Sequence, residues 1–298
     1  MTNTYANLDR ILLPLDGSTA AASIVPYIER LAGMLGARIN LLGVIPEPPS
    51  DMPSDVTGSA HPGVVMQYLE VIKRQLEEHD IRAEVEVQEG QATAEILACA
   101  KARHCGLIAL STRGRSATGP NLLGITTDRV IRSSPAPVLV IPPDEDGGAR
   151  APAGGLKTVI VGLDGSETAA TSLAPARQIA RALNVEIVVV RATPPVDSLG
   201  GAATYFDSVS HHAEQYVKRV AERLTAEGFS ARTVVGSLSA QEQLLRVADD
   251  SEEPLIILST RGWSNRADWQ LGSVTDRVVR TARHPALIIP PAGRSEVG

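Results

Sequence analysis

The chain is 298 residues long, enough for two ordinary domains, and its 43% hydrophobic and 21% charged residues are the balance of a folded protein rather than a disordered one. Aromatic residues make up only 3%, so the cores must be filled by Ala, Val, Leu and Ile, which suits helices packed on sheets. A net charge of −6 argues against a nucleic-acid surface, and no run reaches the roughly 18 apolar residues of a membrane span.

Taken in order, ILLPL (11–15) is an apolar run of strand length. From Ser18, an N-cap residue, Ile24, Ile28, Leu31 and Leu35 recur at helical spacing, with Pro26 predicting a kink or a delayed start. INLLGVI (39–45) is a second buried strand. A Pro-, Ser- and Asp-rich loop (46–60) follows, and Leu69, Ile72 and Leu76 mark the next helix. AEVEVQ (83–88) alternates as a half-exposed edge strand does. A helix over about 92–104, a strand LIAL (107–110), a helix over about 124–133 and a strand PVLVI (137–141) complete the set.

The set then recurs. Asp16 and Asp164, both in LDGS, lie 148 residues apart. The same offset relates Gly114 to Gly262, Gly124 to Gly272, TDRV (127–130) to TDRV (275–278), and Pro142-Pro143 to Pro290-Pro291. Ser166 takes the place of Ser18, and Val217, Val220 and Leu224 that of the second helix's core face, while Pro175 is displaced by one residue from the place of Pro26. So long a period means a duplicated domain rather than a solenoid. PPDEDGGARAPAGG (142–155) reads as a flexible connection. The expected division is a first domain over 1–144, a linker over 145–156, a second domain over 157–293 and a tail over 294–298.

Strands alternating with helices predict an α/β fold, here two tandem open doubly wound parallel five-stranded sheets. With an alternating third strand the expected order is 3-2-1-4-5. The winding then reverses between strands one and four, where open α/β sheets hold their ligands. DGS after strand one and Ser111-Thr112-Arg113-Gly114 after strand four fall there, as do their counterparts ending in Ser259, Arg261 and Gly262. Gly114 and Gly262 allow close approach of a ligand to the backbone. Gly124 and Gly272 sit where a helix begins, with outward amides that suit phosphate. Ser273 adds a hydroxyl that Ile125 lacks, although Thr126 is next along. Neither G-x-x-x-x-G-K-[ST] nor G-x-G-x-x-G is present at the first strand–helix turn. For a single copy, a plain turn and a plain cap explain these residues. The recurrence of paired glycines with nine residues between them favours a binding site.

These motifs resemble the universal stress protein family, specifically its tandem-domain members, over nearly the whole chain. The likeness rests on LDGS, STRG, the spacing to LLG and QLG, TDRV and PVLVIP. ATP-binding members carry G-x-x-G, nine residues, then Gly followed by Ser or Thr. Here Ser111 and Ser259 replace the first glycine, and only the second copy keeps the hydroxyl, in Gly272-Ser273. The resemblance implies an adenine nucleotide alpha hydrolase-like, HUP-type fold. It also implies phosphate binding by Ser111, Arg113, Gly114, Gly124, Ile125 and Thr126, and by Ser259, Arg261, Gly262, Gly272, Ser273 and Val274. Adenosine contacts would come from Asp16 and Asp164, and adenine contacts from the backbone near Val44 and Ala192. ATP, with or without Mg²⁺, is the expected ligand, with ADP or AMP as alternatives.

Other features have plainer readings. Cys99 and Cys105 fit neither a C-x-x-C pair nor a zinc knuckle and read as small buried hydrophobes, and His211-His212 has no partner at ligand spacing. Arg115 and Arg266 pair with phosphate or are solvated, and Trp263 and Trp269 cover a nucleotide or pack on the other domain. Asp128 and Asp276 read as Asp–Arg pairs or as charges favouring a helix start. The apolar strands 137–141 and 285–289 are exposed edges, expected to pair antiparallel with each other, with a homodimer as a further association. The opening MTNTYANLDR has no basic-then-apolar leader, so a cytoplasmic protein is expected, with no nucleic-acid or membrane partner. No nucleophile–base pair or carboxylate dyad is readable. The expectation is a nucleotide-binding regulatory protein of the stress response. A dimerising scaffold that binds no nucleotide, and an adenylating enzyme lacking its usual SGGxDS-like loop, are the rivals.

Overall fold

A computed structural model describes residues 8–46, 61–112, 123–143, 155–193, 203–260 (side chains from 210) and 271–291. The chain divides into two compact units, one formed by residues 7–151 and the other by the chain from 152 on. The first unit runs β1 (Arg10–Pro14), α1 (Thr19–Ala22), α2 (Val25–Leu35), β2 (Arg38–Ile45), α3 (Pro62–Glu78), β3 (Ala83–Glu89), α4 (Ala92–Ala102), β4 (Leu107–Ser111), α5 (Ile125–Ser133) and β5 (Val138–Ile141). The second runs β6 (Thr158–Gly162), α6 (Glu167–Ala170), α7 (Leu173–Leu183), β7 (Glu186–Ala192), α8 (Ala203–Ala226), β8 (Ala231–Gly236), α9 (Ala240–Asp249), β9 (Pro254–Ser259), α10 (Ser273–Thr281) and β10 (Ala286–Ile289).

Within the first unit the strands lie in the order β3-β2-β1-β4-β5, all parallel. Within the second the order is β8-β7-β6-β9-β10, again parallel. The register repeats with the sequence offset: Arg10 sits beside Arg38, and Thr158 beside Glu186. The central strands read as continuous apolar runs because helices cover both faces. Ile11, Leu12, Leu13, Ile108, Val159 and Ile160 have no solvent-exposed surface.

The prolines delay the helices rather than kinking them. The stretch after Ser18 is two pieces, α1 and then α2, with Pro26 in the first turn of α2. Pro175 likewise lies in the first turn of α7. A missing amide is harmless there, since the first amides of a helix have no intrahelical acceptor. On α3 the buried residues are the expected Leu69, Ile72 and Leu76. On α8 Val217 and Leu224 are buried with Ala213, whereas Val220 is only half-buried, so the stripe is rotated slightly from the expected one. On the edge strand β3 Ala83 is buried and Glu84 exposed, but Val85 to Gln88 are all half-buried, so the expected alternation does not persist along the strand. Among the described residues no helix is long and apolar enough to cross a membrane, and no group of His, Cys, Asp and Glu could hold a metal ion.

Candidate nucleotide crevices

The strand-one turn is built identically in both units. Gly17 adopts φ +77° and Gly165 φ +91°, a region that strongly favours glycine. That reversal brings the Asp16 carboxylate back over its own turn, where Oδ1 accepts from the Ser18 amide (2.9 Å) and the Ser18 hydroxyl (2.6 Å). Asp164 does the same with Ser166, at 2.9 and 2.6 Å. The serine hydroxyls in turn accept from Ala21 and Ala169 at 3.1 Å, capping α1 and α6. The bland reading of DGS as a capping turn is therefore real, and it also fixes the aspartate at the carboxyl end of the first strand.

At the fourth strand, the Thr127 hydroxyl donates to the Ser111 carbonyl (2.9 Å) and the Thr275 hydroxyl to that of Ser259 (2.8 Å). The threonine of each TDRV thus ties the helix start to the strand end. The amides of Gly124 and Gly272 themselves are engaged within the protein. They donate to the carbonyls of Thr112 (2.8 Å) and Thr260 (2.7 Å), closing the loop on itself. The amides open by helix geometry belong to Ile125, Thr126 and Thr127, and to Ser273, Val274 and Thr275. Neither glycine N-cap supplies a side chain to cover them. Asp128 and Asp276 are held by arginines one turn on, Arg132 (2.8 Å) and Arg280 (3.0 Å), which bears out the ion-pair reading.

These elements enclose one cavity per unit, at the reversal of winding. The first unit's cavity measures about 160 Å³, against about 310 Å³ in the second. Asp16, Val44, Ser111, Gly124, Ile125 and Thr126 all line the smaller cavity. Asp164, Ala192, Ser259, Gly272, Ser273 and Val274 all line the larger. Arg113, Gly114, Arg261 and Gly262 lie outside the described residues, as do Arg115, Trp263, Arg266 and Trp269. The sequence reading missed the apolar wall, which comes from Ala92 and Ile96 of α4 and from Ala240 and Leu244 of α9. Their common offset was the available signal.

The two crevices differ in chemistry as well as size. Ile125 is 64% exposed at the helix start where the second unit has Ser273. The Thr260 hydroxyl, next to the strand end, is buried with no hydrogen-bond partner among the described residues. Beside the second crevice, Arg191 stacks over the Tyr216 ring at 5.0 Å and packs against Gly165. Burial pushes the Tyr216 phenol up; Arg191 opposes that, and the nearby Asp164 adds to it. The first unit has Gly43 in place of Arg191, and any Cβ there would come within 2.4 Å of Val65.

Comparison with known proteins agrees with this double construction. A model of the universal stress protein family matches residues 7–142 and again residues 155–290. A universal stress protein of Synechocystis is 30% identical over 132 residues, which cover 44% of this chain and 84% of that protein. One from Mycobacterium tuberculosis is 28% identical over 188 residues, spanning 61% of each chain. The crystal structure of a universal stress protein from Archaeoglobus fulgidus superposes with a TM-score of 0.72 at 20% identity, covering 95% of this chain and 99% of that one, a likeness of fold. With both halves matched and one crevice built twice, the chain belongs to the universal stress protein family, as a tandem of two of its domains.

Proposed function

We propose that the chain is an adenine-nucleotide-binding regulatory protein of the stress response, acting in the cytoplasm through changes of conformation or partner rather than by catalysis. The observation that carries this reading is the second crevice. It joins a carboxylate held at one strand end, Asp164, to an uncovered helix start that offers amides and the Ser273 hydroxyl. Asp164 would accept hydrogen bonds from ribose hydroxyls or an adenine amine. The amides of 273–275 would donate to phosphate, where the helix dipole also favours negative charge. A cavity of about 310 Å³ stands at the lower end of the volumes typical of ligand sites, and one of about 160 Å³ falls below them. ATP, with or without Mg²⁺, therefore belongs first to the second unit.

The experiment has two parts. Freshly purified protein is extracted with acid and the supernatant run on ion exchange, with co-purifying ATP, ADP or AMP expected. ATP is then titrated calorimetrically into Gly272→Glu and Gly124→Glu. The first substitution sets a carboxylate at the better helix start and removes more binding than the second. Equal losses overturn the ranking, and an empty protein with no thermal shift in ATP leaves the scaffold reading. The smaller first cavity favours that second reading for the first unit alone. We also infer that β5 and β10, the apolar strands ending each unit's sheet, pair with each other, since exposed apolar edges demand cover.

A further inference from the structure

The outer edge of the second unit holds a groove of about 440 Å³ that lies apart from the nucleotide crevice. Its floor is the edge strand β8, through Arg232, Val234 and Gly236, and its wall is α9, through Gln243, Arg246 and Val247. The same helix turns Ala240 and Leu244 toward the nucleotide cavity and its adjoining face, with Gln243 and Val247, toward the groove. Gln243 is 6% exposed, and its carboxamide rests on Gly236, where a Cβ would meet Oε1 at 2.0 Å.

The first unit shows what the groove lacks. There the equivalent of Val234 is Glu86, whose carboxylate receives Gln88 (2.6 Å), the Cys99 thiol (3.7 Å) and Arg103 (2.9 Å). In the second unit those four positions are Val234, Gly236, Val247 and Ser251, so the internal carboxylate and its donors are gone. Two arginines stand at the groove instead. Arg232 meets Glu186 at 3.0 Å, while Arg246, 69% exposed, reaches Asp250 only at 4.0 Å. The strand itself is open on one side. Ile187 donates to the Ser230 carbonyl and Thr193 to that of Gly236, so the even-numbered residues of β8 face β7. In a parallel ladder the groups of Thr233 and Val235 then face outward, with no further strand beside them within the unit.

We propose that this groove docks an extended acidic segment of a partner protein, which adds a strand to β8 and sets a carboxylate against Arg246 where the first unit uses its own Glu86. Main-chain bonds to Thr233 and Val235 supply affinity, and the arginines supply the preference for acid. Gln243 pairs with the incoming backbone.

The test uses the full-length protein without nucleotide and fluorescein-labelled peptides of about eight residues, an ordinary strand length, alternating Val with Glu, Gln or Lys. Fluorescence anisotropy is expected to show binding of the Glu peptide and none of the Lys peptide. Arg246→Glu, at an exposed position that leaves folding intact, weakens the Glu peptide about tenfold or more. Thr233→Pro removes one outward donor without touching the β7 ladder and weakens the Glu and Gln peptides alike. No binding of the Glu peptide, equal binding of Glu and Lys peptides, or indifference to Arg246→Glu overturns the proposal. So does sedimentation showing self-association that Arg246→Glu abolishes, because the occupant is then a second copy.

Discussion

Ile125 and Ser273 hold the same place in the two units and differ in one capability, donation from a hydroxyl to a ligand at the helix start. A single such hydrogen bond contributes about 0.5–1.5 kcal/mol, so Ser273→Ala should weaken ATP in the second crevice by up to about tenfold. Ile125→Ser should strengthen the first crevice by a similar factor, at little structural cost, since the isoleucine is largely exposed. Calorimetry on each single variant separates the two. The cysteines give a second prediction at this scale. Burial pushes the Cys99 thiol to about 12 and that of Cys105 to about 11. Only the thiolate attacks a disulfide reagent, so neither should react at neutral pH until the protein unfolds. Rapid labelling of native protein would show that the pair is accessible. The sequence reading of both as small buried hydrophobes agrees with their place in the core.

Among the elements, β3 and β8 occupy equivalent edges and are protected differently. On β3, burial pushes the Glu86 carboxyl up, but hydrogen bonds from Gln88 and Arg103 and the Arg103 charge outweigh it and hold Glu86 below the ordinary 4.5. A carboxyl depressed in the folded state contributes stability above its unfolded value and loses it as the pH falls through the folded one. Arg103→Ala should therefore destabilise the protein at pH 7, only slightly for so exposed a partner. That difference should vanish as the pH is lowered below 4.5 and through the depressed value, measured by urea unfolding across pH. A difference that persists in acid would assign Arg103 to packing. The alternation in AEVEVQ announced an edge strand, because period-two polarity is a local property. ARTVVG announced nothing of its groove, which arises from how the next helix, α9, is laid against the strand and from what its side chains leave unfilled.

For the whole molecule, the two units differ at their crevices: the second is larger and has Ser273 at the helix start where the first has Ile125. The inferred pairing of β5 with β10 is tested by placing a protease site in the 145–156 connection of the full chain. After cleavage the halves should still co-elute as one species in size exclusion, and should separate when Val140 and Ile288 are both changed to Lys. Halves that part without those changes would refute the pairing.

The repeat, the order of the elements and the turns that need glycine are legible in the amino acids alone, since spacing, periodicity and backbone sterics act within a few residues. Gly17 and Gly165 at positive φ, Ser18 and Ser166 as caps, and the strand order followed from such local rules. Tertiary structure alone decided that the Gly124 and Gly272 amides are spent on Thr112 and Thr260, that α4 and α9 wall the crevices, and that one cavity is the larger. Each of those depends on which atoms meet across a long loop or between separate elements, and no short window of residues carries that information.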